Sequence, residues 1–167
     1  MKKHYLYYIS VLFLLGSWVS GCATRPMIVT TTIGALDARD KLLIAMQGSE
    51  FKDKVLSNII HEFEKEGLFI EIIDLENLAE KSSRDYGAVV IMNEYRMFQV
   101  DERARHFIQG IDADEQKKIV LLTTAGSPGM TGEDLNVDAI SSASEMIEAD
   151  ILSDRIIVRV TSILSSK

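Results

Sequence analysis

Leu42-Leu43-Ile44-Ala45-Met46-Gln47-Gly48-Ser49 is the stretch that decides the fold class. Its unbroken apolar run, Leu42 to Met46, lacks the alternation of a half-covered strand and matches a strand buried on both faces, as in parallel sheets. Gly48 and Ser49 break the run, and the Ser49 hydroxyl is an N-cap for the segment that follows. There Phe51, Val55, Ile59 and Phe63 recur at helical spacing, with Leu56 and Ile60 widening the stripe, until Gly67 supplies a C-terminal stop.

The same alternation continues outward. Residues 68–73 read as a second strand, 75–84 as a short helix and 87–92 as a third strand. Residues 101–109 read as a helix with Ala104, Phe107 and Ile108 inward, and 119–122 as a fourth strand. Residues 139–149 are predicted helical and 156–160 a fifth strand. Strands alternating with helices imply right-handed crossovers and an α/β fold built on a five-stranded parallel sheet. With the fifth strand at 156–160, no residues are left for a closing helix, so residues 23–40 are expected to cover part of one face.

Upstream, Lys2, Lys3 and His4 precede an apolar run from Tyr5 to Trp18 and then small residues, the layout of a secretory leader. The run is short for a membrane span, which needs about 20 apolar residues. Val19-Ser20-Gly21-Cys22 resembles the lipobox of bacterial lipoproteins. The resemblance implies cleavage before Cys22 and lipid attachment there, with acyl chains such as palmitate. The expected layout is therefore a signal peptide over 1–21, a lipidated N-terminus and short tether over 22–40, and a domain over 41–167. Cys22 is the only cysteine, so once acylated it leaves no thiol nucleophile, disulfide or thiolate metal ligand. Ala23, rather than Asp, follows it, which implies an outer-membrane address if the organism has two membranes, and in any case the cell envelope.

The leader carries two of the 18 basic residues and none of the 25 acidic ones, so the mature net charge is −9. That balance repels nucleic-acid phosphates and anionic lipid headgroups. The expected partners are the membrane, through the lipid, and an envelope protein or small molecule.

Tyr86-Gly87-Ala88-Val89-Val90-Ile91-Met92-Asn93-Glu94-Tyr95 resembles the third strand of flavodoxins, whose following loop stacks an aromatic residue on the flavin. The likeness extends in element order over residues 41–160. It implies a flavodoxin-like three-layer sandwich with its ligand at the strand C-termini, by the topological switch point. Three loops then matter: 47–50, 93–99 and 123–132. In the first, Gly48 and Ser49 match a phosphate loop, whereas Glu50 occupies the first helical turn and repels phosphate. In the second, Tyr95 or Phe98 is the ring-stacking candidate. The third is rich in Gly and hydroxyls but lacks the Gly-Lys-Ser/Thr ending of a P-loop.

Asp138-Ala139-Ile140-Ser141-Ser142-Ala143-Ser144 also resembles the acceptor motif on which a flavin transferase esterifies FMN. Ser144 would be the acceptor, with Ser142 where the motif has Gly. Read structurally, Asp138 is an ordinary helix N-cap.

Other chemistries lack their residues. His61 and His106 lie on different predicted helices, and His61-Glu62 has no second histidine of a zinc-protease motif. No Gly-x-Ser-x-Gly elbow occurs, and Asn93 stands where a phospho-accepting receiver domain carries Asp. The run Asp112-Ala113-Asp114-Glu115 is a solvated loop. The leading expectation is an anchored binding or scaffold domain. FMN-dependent electron transfer, using Gly48, Ser49 and Tyr95 or Ser144, is the alternative, and an unassigned enzyme comes last.

Overall fold

The computed structural model describes residues 27–96, 99–125 and 135–166. Residues 1–21 (the expected leader), Cys22, Phe98 and most of residues 123–132 lie outside them. The chain opens with strand β1 (Thr31–Ile33), then β2 (Lys41–Met46), helix α1 (Glu50–Lys65) and β3 (Phe69–Asp74). Two 3-10 turns (Leu75–Glu80 and Ser83–Asp85) lead to β4 (Ala88–Arg96), which pairs with the short β5 (Gln99–Val100). Helices α2 (Glu102–Gln109) and α3 (Ala113–Gln116), strands β6 (Ile119–Thr124) and β7 (Asp138–Ser142), a 3-10 turn (Met146–Glu148) and helix α4 (Ala149–Ser165) complete it.

The sheet order is β1-β3-β2-β4-β6-β7, with β3, β2, β4, β6 and β7 parallel and β1 antiparallel on the β3 edge. Numbered among themselves, the five parallel strands run 2-1-3-4-5, the order of the flavodoxin-like doubly wound fold. Each sheet face is covered. Leu42, Ile44, Met46, Val90, Met92 and Leu122 pack under α1 and α4, and Leu43, Ala45, Val89, Ile91 and Leu121 pack under α2 and the 3-10 turn of residues 75–80.

Helix α1 forms as its sequence dictates. Ser49 Oγ accepts from Lys52 N at 3.3 Å, and Phe51, Val55, Ile59 and Phe63 are buried. Its end is a Schellman motif: Leu68 N reaches Phe63 O and Gly67 N reaches Glu64 O, with Gly67 at φ 71°. Gly34, at φ 86°, turns the chain out of β1. A Cβ there would lie 2.2 Å from Leu68 O, so only glycine fits.

Four expectations are corrected. Residues 139–149 are not a helix: Asp138–Ser142 form the fifth parallel strand, and the Asp138 carboxylate, instead of capping, meets Arg159 Nη1 at 2.9 Å. The run Ile156-Ile157-Val158-Arg159-Val160 is not a strand. It belongs to α4, where Ala149, Leu152, Ser153, Ile156 and Val160 are buried at helical spacing. Packing of that stripe against α1 and the sheet overrides the β-branched preference of the run. A closing helix therefore exists and covers the face that residues 23–40 were expected to shield. The described part of that segment instead contributes an edge strand, Thr31 pairing with Ile72 and Ile33 with Ile70, so the folded unit begins before residue 41. The short helix predicted over 75–84 is a pair of 3-10 turns.

Candidate functional site

At the carboxyl ends of the strands, chain segments from four elements border a cleft of about 520 Å³. The β2–α1 turn supplies Ser49, Glu50 and Phe51, and the end of β4 supplies Glu94 and Tyr95. The end of β6 supplies Thr124 and Ala125, and the turn after β7 supplies Ala143, Ser144 and Met146. The cleft sits by β2 and β4, where successive crossovers leave to opposite faces. Such a switch point opens a crevice because the connections on its two sides diverge.

Three sequence candidates, Ser49, Tyr95 and Ser144, meet in this one cleft, and Gly48 adjoins it in the same turn. Ser144 lies in a turn, not a helix, at φ 63°, with its N–H donating to Ser142 Oγ at 3.0 Å. Ser142 in turn donates to Glu148 Oε2 at 3.1 Å, tying the turn to the start of α4.

Beneath the cleft lies chemistry that the motifs did not announce. Lys52, in the first turn of α1, is fully buried with Nζ 3.5 Å from Glu94 Oε1. Its place with Val55, Ile59 and Phe63 on the inward stripe was the available signal, since a buried cation requires a partner.

A second group ties the loops together from the other face. Asp101, the N-cap of α2, accepts from Gln47 Nε2 at 2.7 Å and from Arg103 Nε and Nη2 at 2.9 and 2.7 Å. Burial alone would raise its pKa, but the Arg103 hydrogen bonds and charge, with the Gln47 bond, hold it below the ordinary aspartate value. Asn93 donates to Leu122 O and Thr123 Oγ1 and accepts from Asp101 N, so β4, β6 and α2 share one anchor.

FMN, the group this fold implies, fits the cleft at one end only. Tyr95 and Met146 offer aromatic and apolar surface for a ring. At the phosphate end, Ser49 is the one hydroxyl of the β2–α1 turn and already caps Lys52 N, while the Glu50 carboxylate borders the same space. A phosphate dianion placed there meets like charge at a helix terminus whose dipole is already matched by Glu50 and Asp53. The phosphate-binding half of the site is therefore missing among the described residues. Among the described residues, no group of three His, Cys, Asp or Glu is placed to hold a metal ion.

No protein-family model and no curated protein sequence matches the chain. Solved structures do. An oxidoreductase from Corynebacterium diphtheriae superposes with a TM-score of 0.53 at 12% identity, over 78% of this chain and 100% of that one. A flavodoxin from the domain Archaea gives 0.53 at 9%, over 74% and 98%. The flavodiiron core from Synechocystis gives 0.54 at 8%, over 77% of this chain and 36% of the other. At such identities the likeness shows the fold, and the fold is flavodoxin-like α/β.

Proposed function

We infer that the chain is a lipid-anchored protein of the cell envelope, held through Cys22, whose flavodoxin-like domain works as a binding or scaffold module. Its strand-end cleft takes a planar small molecule that is uncharged or cationic. The observation carrying this reading is the composition of the cleft: ring-accepting surface from Tyr95 and Met146, with the Glu50 carboxylate at the β2–α1 turn where flavodoxins hold phosphate. Tyr95 would stack on the ligand, Ser49, Thr124 and Ser144 would offer hydroxyls to its edge, and the Lys52–Glu94 pair would hold the floor in place. Protein purified from its native host is expected to be colourless and to carry a diacylglyceryl group on Cys22 by mass spectrometry. Stoichiometric FMN would overturn the ligand reading, and an unmodified Cys22 would overturn the anchor.

One observation favours FMN-dependent electron transfer as a second reading. Ser144, the residue resembling a flavinylation acceptor, lies in a turn that borders the cleft and is not locked in a helix. In that case intact-mass analysis of native protein shows one FMN attached at Ser144.

A further inference from the structure

The first described residues enter at the cleft end of the sheet. Ile28 N donates to Asp74 Oδ2 at 3.0 Å. Asp74, the last residue of β3, is in register with Met46, Met92, Leu122 and Ile140 across the parallel strands. Met27 is thus level with the strand ends from which the cleft opens. Four residues separate it from Cys22, five Cα-to-Cα steps with a reach of at most about 17 Å in an extended chain.

Helix α4 starts at the cleft end and runs back along the sheet for 17 residues, about 26 Å. The backbone of Cys22 therefore cannot reach around to the opposite end, where Leu36 and the turn before β2 lie. Of the seven large apolar side chains exposed among the described residues, five lie at the cleft end: Met27, Val29, Met146, Ile147 and Ile151. They stand on both sides of the opening, Met27 and Val29 by β3 and the other three by β7. The outer edge, by contrast, presents Thr31 and Thr32.

The geometry points to a membrane-facing cleft: the strand-end face lies against the bilayer, with Met27 and Val29 on one side and Met146, Ile147 and Ile151 on the other entering the headgroup boundary. The occupant of this surface is a zwitterionic bilayer, because exposed Glu50 and Glu145 at the same end repel anionic lipid, Asp150 there being paired with Lys54. Tethering makes weak apolar contact sufficient, since the lipid fixes a high local concentration of surface. The cleft would then exchange its ligand with the membrane, which selects for an apolar planar molecule dissolved there. The inference rests on acylation of Cys22.

The test uses full-length lipidated protein in phosphatidylcholine vesicles, with an environment-sensitive fluorophore on Ile147→Cys or on Leu36→Cys. Both sites are exposed, and acylation blocks the natural thiol. Brominated acyl chains are expected to quench the label at 147 at least threefold more than the label at 36. Equal quenching in vesicle-bound protein overturns the orientation while leaving the anchor intact. A blue shift at 147 without vesicles means that a second copy covers the face, and also overturns it. Failure of the unlabelled protein to pellet with vesicles, or retained processing and pelleting of Cys22→Ser, removes the anchor and the inference with it.

Discussion

The Nζ of Lys52 stands 3.5 Å from Oε1 of Glu94, joining the first turn of α1 to the end of β4 directly under the cleft. Lys52 has no exposed side-chain surface, whereas Glu94 keeps about a quarter of its own. Burying an ammonium costs far more than an exposed pair returns, so this contact positions two loops more than it stabilises the fold.

Breaking the pair from one side and removing its charge should therefore differ. Glu94→Gln removes the carboxylate charge facing the buried Nζ of Lys52 and is expected to cost about 2 kcal/mol. Lys52→Met fills the same volume without charge and should lie within about 1 kcal/mol of wild type. Urea unfolding followed by far-UV circular dichroism measures both. Equal losses would show that Lys52 is not held by Glu94.

Gly34 and Gly67, the left-handed glycines among the described residues, give a second contrast. Gly34→Ala places a Cβ 2.2 Å from Leu68 O, so the β1 turn must move, at a cost of about 3 kcal/mol. Gly67→Ala meets nothing within 4 Å and should lose only the conformational preference, about 1 kcal/mol. Thermal melts of the two variants check the order.

Acid should act through Asp101. Its pKa lies below the ordinary 3.8 in the folded protein. The stability it contributes is thus present above that value and lost as pH falls through the lowered one. Asp101→Asn is expected to be less stable at pH 7 and to have a flatter stability profile as pH falls below the ordinary aspartate value of 3.8. Unfolding midpoints across that range test the sign, and parallel profiles for the two proteins would contradict it.

Much of this architecture was legible because its signals are local. The apolar run 42–46, the Ser49 cap and the stripe Phe51, Val55, Ile59 and Phe63 each imply one element. The exchanged C-terminal elements show the limit. Ile156 to Val160 is rich in β-branched residues, and only the wider spacing of Ala149, Leu152, Ile156 and Val160 shows a helical face. β7 is an edge strand in which Ile140 is the sole fully covered apolar residue, too little for a pattern. In the site, Ser49, Tyr95 and Ser144 followed from motifs at strand ends. Gln47, Lys52, Glu94 and Asp101 did not, because their roles arise from contacts between segments as far as 54 residues apart.

The charge at the cleft mouth makes a further prediction. Glu50→Gln removes like charge near the position a phosphate would take and should raise affinity for FMN about fivefold, equivalent to about 1 kcal/mol, with riboflavin unaffected. Loss of the helix-terminal carboxylate should cost about 0.5 kcal/mol of stability. Fluorescence titration and urea unfolding report the two effects.

The most direct test of a cleft that accepts a ring and rejects a phosphate is calorimetric titration of the wild-type protein with riboflavin and with FMN under identical buffer. Riboflavin is expected to bind at least as tightly as FMN. FMN binding tenfold or more tightly than riboflavin would contradict the account and establish a working phosphate site at Gly48 and Ser49.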